Sequence, residues 1–128
     1  HTQDYCLTLT AGDPDREQRA LLYGSLVAGA HARFGAFPKP GDLRRALTAA
    51  AGAESLDAER QLAAACGLTG GVARLDDGWV VFAPTLAAPV PAGTVGLGDS
   101  FTGGVLALLG GLSPRARRGR RPGAIASA

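Results

Sequence analysis

The 128-residue chain has no methionine, one tryptophan, two cysteines and only 5% aromatic residues. Each scarcity excludes something. Cys6 and Cys66 stand far apart, neither in a Cys-x-x-Cys pair nor beside a cluster of histidines, so they form neither a disulfide framework nor a zinc-site pattern. A reducing, cytoplasmic setting is the simpler expectation. The apolar stretch near the end, Val105 to Leu109, is far too short to cross a bilayer, and no basic-then-apolar leader opens the chain. No membrane partner is expected. A start at His1 with no methionine anywhere reads as a piece of a longer protein, from which a leader could have been lost.

What is present is ordinary for one folded unit: 46% hydrophobic and 19% charged residues at this length are enough for one core. The net charge of +2 hides two unlike parts, because Arg115, Arg117, Arg118, Arg120 and Arg121 crowd the end. Without those five, eight basic groups face eleven acidic ones, so residues 1–114 carry −3. Residues 113–128 are therefore predicted to be a solvated, disordered Arg-rich tail, and no nucleic-acid partner is inferred from them.

Asp13-Pro14 reads as an N-cap followed by proline at the first helical position, with Asp15 and Glu17 at the positive end of the helix dipole. Leu22, Leu26, Ala30 and Phe34 recur at four-residue spacing and Gly35 follows, which predicts a helix over 14–34 with those four residues on one face. Asp42 is expected to cap a short helix through Leu43, Ala46 and Leu47, and Ser55 another through Leu56, Leu62 and Ala63 that Gly67 ends. Beyond Gly71 the period changes: Val72 to Leu75 and Trp79 to Ala83 flank Asp76-Asp77-Gly78, a hairpin signal that predicts two antiparallel strands. Pro84, Pro89 and Pro91 then hold the chain extended before the glycines between Gly93 and Gly98 and a helical pattern from Phe101.

The run Gly96-Leu97-Gly98-Asp99 carries the chemistry. Two glycines permit positive φ and close backbone approach, and the start of the following helix aims free N–H groups and a positive dipole at the same spot, which makes an anion site. Preorganised N–H donors of that kind stabilise a phosphoryl group in flight, and Asp99 is placed to accept a proton from an attacking hydroxyl. The plain alternative is that Asp99 is only an N-cap.

The longer string from Thr94 to Phe101 resembles the ribokinase superfamily, whose Gly-x-Gly-Asp at a helix start forms an anion hole with a basic aspartate. Within it the chain looks most similar to the ADP-dependent glucokinase and phosphofructokinase family, on Thr94-Val95-Gly96, on Pro84-Thr85 with Pro89, and on His1-Thr2 nearly a hundred positions before Asp99. The resemblance implies an α/β, ribokinase-like three-layer α/β/α sandwich, of which residues 1–112 would be the C-terminal, nucleotide-binding part. It also implies transfer of a phosphoryl group from ADP to a sugar or sugar phosphate, giving AMP, with Mg²⁺ as cofactor. Asp99 would be the catalytic base and would touch both metal and sugar, the Gly96-Leu97-Gly98 turn would bind nucleotide phosphate, Ala88 would meet adenine through its backbone, and His1 and Thr2 would contact the nucleotide. The family's acidic metal motif and sugar-binding lid lie upstream, so this piece alone is expected to be inactive. An ATP-dependent ribokinase- or fructokinase-type enzyme is the nearest rival, and a non-catalytic nucleotide-binding remnant is another.

Other residues read as structural. His31, with no second ligand at a useful spacing, is expected to be a surface or helix-packing residue without a chemical role. Asp76 and Asp77 suit a turn, Trp79 a strand-end contact on the sheet, and Gly103 and Gly104 a close packing contact that offsets about 1 kcal/mol each of lost helix propensity. A parallel sheet lacking its first strands is expected to expose apolar surface and an open edge.

Overall fold

In the computed structural model the described residues are 4–88 and 91–110. The chain runs β1 (Tyr5–Thr10), α1 (Pro14–Phe34), α2 (Pro40–Ala46), α3 (Ala53–Cys66), β2 (Val72–Leu75), β3 (Gly78–Pro84) and α4 (Leu97–Leu109). The Arg-rich segment 113–128 lies outside the described residues, so its predicted disorder is not addressed. Among the described residues no helix is long and apolar enough to cross a membrane.

Helix α1 begins and ends where its cap residues predict. The Asp13 carboxylate accepts the Asp15 N–H at 3.0 Å, and Gly35 takes φ 82° and returns its N–H to the His31 carbonyl. The buried face, however, is Ala20, Leu21, Gly24, Val27 and Ala30, rotated from the expected Leu22–Leu26–Phe34 stripe. Leu22 is left exposed, and with Leu26 it borders a groove shared with Leu47 and Leu108. At Gly24 the inner face admits no side chain because α4 approaches so closely, while Leu21 packs a turn away against Phe101 and Val105.

Two helix starts differ from expectation. Helix α2 opens at Pro40 and places Asp42 in the third position, where its carboxylate accepts the Lys39 N–H at 3.0 Å and pairs with Arg45. These contacts, the Lys39 N–H first and Arg45 second, hold the Asp42 carboxyl below its ordinary range. Helix α3 opens at Ala53 with Gly52 at the cap, so Ser55 is no cap. Instead Ser55, almost fully buried, donates to the Asp4 carbonyl and accepts the Thr85 N–H at 3.0 Å, while the Thr85 hydroxyl donates to the same carbonyl at 2.8 Å. A polar side chain taken from water needs such partners, and here they tie α3 to the start of β1 and the end of β3.

The strands form one antiparallel sheet in the order β1-β3-β2, not the parallel arrangement expected. β1, for which the cap and periodicity signals predict nothing, pairs with β3 from Tyr5 opposite Pro84 to Thr10 opposite Trp79. β2 and β3 form the predicted hairpin, with Leu75 opposite Gly78 and Asp76-Asp77 as the two-residue turn. Gly78 does not adopt positive φ; it is glycine because a Cβ there would collide with the Thr10 carbonyl of β1. Alternation along β3 feeds two apolar clusters. Val81 and Ala83 join Cys6 and Leu21 beneath Trp79, Phe101 and Val105, whereas Val80 and Phe82 join Leu68 and Ala73 against Ala58, Leu62 and Ala63 of α3. Helices thus cover both faces of this small sheet. Leu9 on β1 is 70% exposed.

Helices α1 and α4 pack antiparallel at glycine contact distance. A Cβ on Gly104 would lie 2.9 Å from Gly24 Cα, and one on Gly24 would lie 2.7 Å from Val105 Cγ2 and 2.8 Å from the Phe101 carbonyl oxygen. Gly104 therefore carries the predicted close contact, while Gly103 has nothing within 4 Å of its would-be Cβ. At the far end the Arg16 guanidinium donates to the Leu109 carbonyl, a cation at a helix C-terminus. These distances set the sign of two substitutions. Gly24→Ala should lower stability by about 1–3 kcal/mol, since overpacking outweighs the gain in helix propensity, and Gly103→Ala should raise it by about 0.5–1 kcal/mol; urea unfolding of the two variants beside the parent chain reads both.

Candidate anion and nucleotide site

Gly96 is the hinge of the site. It adopts φ 81° at the N-cap of α4, a left-handed conformation that glycine enters without steric cost, and no side chain caps the helix. Gly98, the second glycine of the run, is helical rather than left-handed, so only one of the two glycines supplies positive φ. The first intrahelical bond runs from the Ser100 N–H to the Gly96 carbonyl at 2.9 Å. The N–H groups of Leu97, Gly98 and Asp99 precede it, have no partner within the helix, and lie at the positive end of a 13-residue dipole.

Asp99 occupies the third helical position and is exposed to solvent. It is not the N-cap, and its side chain makes no hydrogen bond or ion pair with the described residues. Its neighbour Ser100 points the other way: it is 2% exposed, and its Oγ shares a hydrogen bond of 2.7 Å with His31 Nδ1 on α1. His31 is half-buried and packs between helices, as its isolation in the sequence predicts; its partnership with the residue after Asp99 carries no signal at the level of spacing.

The loop that leads into Gly96 is held by the C-terminal end of α1. The Ala32 carbonyl accepts the Ala92 N–H at 2.7 Å, and a Cβ on Gly93 would lie 3.1 Å from Gly35 Cα, so two glycines meet there as well. Behind the turn lies an apolar cleft of about 150 Å³, walled by Ala28, Gly29 and Ala32 of α1, by Thr85 and Leu86, and by Leu97 and Gly98. Ser25 also borders it, 4% exposed, with no hydrogen-bond partner for its Oγ. The Cys6 thiol, in the same wall, is pushed above its ordinary value by burial, an effect the adjacent Ser25 hydroxyl partly offsets. A sulfur contact of that kind is too weak to count as satisfying the hydroxyl.

Of the other residues expected at the site, Ala88 borders a separate depression of about 300 Å³ with Gly52, Ser55 and Thr85. The two hollows share Thr85 and Leu86 as a common wall, while Asp99 borders neither. His1 and Thr2 lie outside the described residues. No cluster of three potential metal-ligating side chains occurs among the described residues.

The fold has structural counterparts among solved proteins. Over 85% of its length the chain superposes on an ancestral ADP-dependent phosphofructokinase of Methanosarcinales with a TM-score of 0.71 at 22% identity, and on a Pyrococcus horikoshii phosphofructokinase solved with AMP with a TM-score of 0.71 at 24% identity. A similar match, with a TM-score of 0.70, is to an ADP-dependent kinase in complex with fructose-6-phosphate and ADPβS. The fold of the described residues is that of a part of the ADP-dependent sugar kinases.

Sequence points to further similar proteins. The chain is 29% identical over 102 residues, 80% of its length, to the ADP-dependent glucose/glucosamine kinases of Pyrococcus abyssi and Pyrococcus furiosus. The resemblance read from the glycine turn is thereby borne out. The chain spans 23% and 22% of the lengths of those two proteins. No family model matches it.

The buried thiol gives this site a measurable signature. Because Cys6 stays protonated in the fold where an unfolded thiol ionises, folding should lose stability as the pH rises past the ordinary thiol value of 9.0. Cys6→Ala should remove that part of the alkaline decline in urea-unfolding midpoints, and a thiol reagent should label half-buried Cys66 well before Cys6 in the native chain.

Proposed function

We propose that the protein to which this chain belongs is an ADP-dependent sugar kinase that transfers the terminal phosphoryl group of ADP to a sugar or sugar-phosphate hydroxyl and releases AMP. The observation that carries this reading is the pairing of a left-handed Gly96 that opens α4 with an exposed, unpartnered Asp99 one turn into it. An N-cap role would have placed the carboxylate one turn earlier, on a backbone N–H. The names of the relatives and the ligands in the matched structures support the choice of ADP and of a sugar acceptor. In this reading the chain forms the nucleotide-binding portion, within residues 1–112, of a ribokinase-like three-layer α/β/α sandwich.

The N–H groups of Leu97, Gly98 and Asp99 would bind phosphate oxygens and stabilise the charge that spreads over the equatorial oxygens during transfer. Asp99 would take the proton of the attacking sugar hydroxyl, a task that suits a carboxylate not committed to another partner. Ala88 and the Thr85–Leu86 wall would flank the adenine, with His1 and Thr2 completing the nucleotide contacts. Mg²⁺ is held in such enzymes by one or two carboxylates together with waters and substrate phosphates, and a lone exposed Asp99 fits as one such ligand. When bound, the ion would neutralise phosphate charge. A cytoplasmic location suits these substrates.

Asp99→Asn in the full-length protein tests the assignment. The turn N–H groups survive the substitution and the proton acceptor does not, so kcat should fall about 10²- to 10⁴-fold with nucleotide Kd nearly unchanged. An Asp99→Asn enzyme of near-wild-type activity would remove Asp99 from the chemistry. Donor choice is read separately: in preparations cleared of adenylate kinase, ADP should support turnover and ATP should not. Robust use of ATP alone would point to the ribokinase or fructokinase group, and turnover with neither donor to a nucleotide-binding remnant.

A further inference from the structure

We propose that His31 is a positioning residue for the phosphate turn and for Asp99, acting through Ser100; the inference rests on the kinase reading above. The first turn of α4 lacks a cap of its own, because Gly96 has no side chain and no other residue supplies one. Its order is imposed from outside, by the last turn of α1. His31 Nδ1 and Ser100 Oγ lie 2.7 Å apart, and Ser100 is almost wholly buried, so this hydrogen bond is sheltered from competing water.

The same imidazole lies along the hinge. Its Cε1 atom is 3.5 Å from the point where a Cβ on Gly96 would sit, so the ring flanks the residue whose left-handed φ opens the helix. Successive helical residues project about 100° apart. Anchoring Ser100 inward therefore fixes the rotation of α4 about its axis and turns Asp99 outward, where it is exposed. Neighbouring contacts along α1 do the same for the incoming loop, with the Ala32 carbonyl on the Ala92 N–H and Gly35 against Gly93. The Gly24–Gly104 contact, flanked by Val27, Phe101 and Val105, sets the separation of the helices but contains no directional polar bond. The His31–Ser100 bond adds that directional restraint at the turn itself.

Kinetics on the full-length protein test the proposal, since a misplacement of about 1 Å can cost 10²-fold in rate. His31→Ala should lower kcat about 10- to 100-fold with sugar KM within about threefold of wild type. His31→Asn, whose amide can reach the Ser100 hydroxyl, should recover most of the rate, and His31→Phe, which fills the space without the bond, should not. Ser100→Ala should resemble His31→Ala, and the double variant should be no slower than the slower single one, as expected for two halves of one interaction. Thermal unfolding of each variant separates lost rate from lost fold; should His31→Ala not fold, the Asn and Phe variants decide.

Wild-type kcat in a folded His31→Ala or His31→Phe protein would overturn the positioning role, as would a His31→Asn protein that folds but is as slow as His31→Phe. The Asp99→Asn variant keeps the two failures apart. If it is inactive while His31→Ala is fully active, only the present inference falls. If Asp99→Asn is active, the kinase assignment of Asp99 falls first and the positioning role falls with it.

Discussion

The contact between Gly24 and Gly104 is the constraint from which the rest of the arrangement follows. With a Cβ on Gly104 the separation from Gly24 Cα would be 2.9 Å, so the two helices can lie this close only because neither residue has a side chain. Closeness brings their ends into register as well. The helices are antiparallel, so the negative end of the α1 dipole lies beside the positive end of α4, and the reverse holds at the Arg16–Leu109 end. The turn at Gly96 is thus built where α1 can reach it with carbonyl, imidazole and glycine contacts.

β3 is the second organising element. Its residues Val80, Val81, Phe82 and Ala83 are buried on both faces, and it is hydrogen-bonded on both edges. Such a strand has little room for polar groups along its length. Polar connection is deferred to its end, where Thr85, Ser55 and the Asp4 carbonyl meet. Thr85 is also part of the wall shared by the two hollows beside the turn, so the joint that closes the sheet also shapes the ground behind Gly98.

What could be read from the sequence divides along the range of the interactions. The bounds of α1 were legible because Asp13, Pro14 and Gly35 act locally, and the hairpin was legible because its turn and strands are adjacent. The inner face of α1 was not, since Gly24 is buried through the approach of Gly104 on α4, eighty positions further along the chain. Ser55 looked like a cap for the same reason: its partners, Asp4 and Thr85, are remote in sequence. In the site, Gly96 and the position of Asp99 near a helix start were legible from the motif. The helical state of Gly98 and the bond between His31 and Ser100 depend on tertiary packing, which no spacing within either segment encodes.

The register of β1 has a consequence for the way the chain is made. Tyr5 pairs with Pro84 and Thr10 with Trp79, so β1 leaves the ribosome some seventy residues ahead of the strand it pairs with. At about 5–20 residues per second that is an interval of several seconds, during which Leu7 and Leu9 lie on a strand whose β3 partner has not yet been made. Helix α1, whose caps are both within its own neighbourhood, can form in that interval and offer Leu21 to the strand as a temporary cover. The closure entropy of so long a loop increases only logarithmically with its length. Biosynthesis therefore exposes this pairing less to a thermodynamic penalty than to a matter of timing, in which β1 has to be kept from wrong strands until β3 arrives.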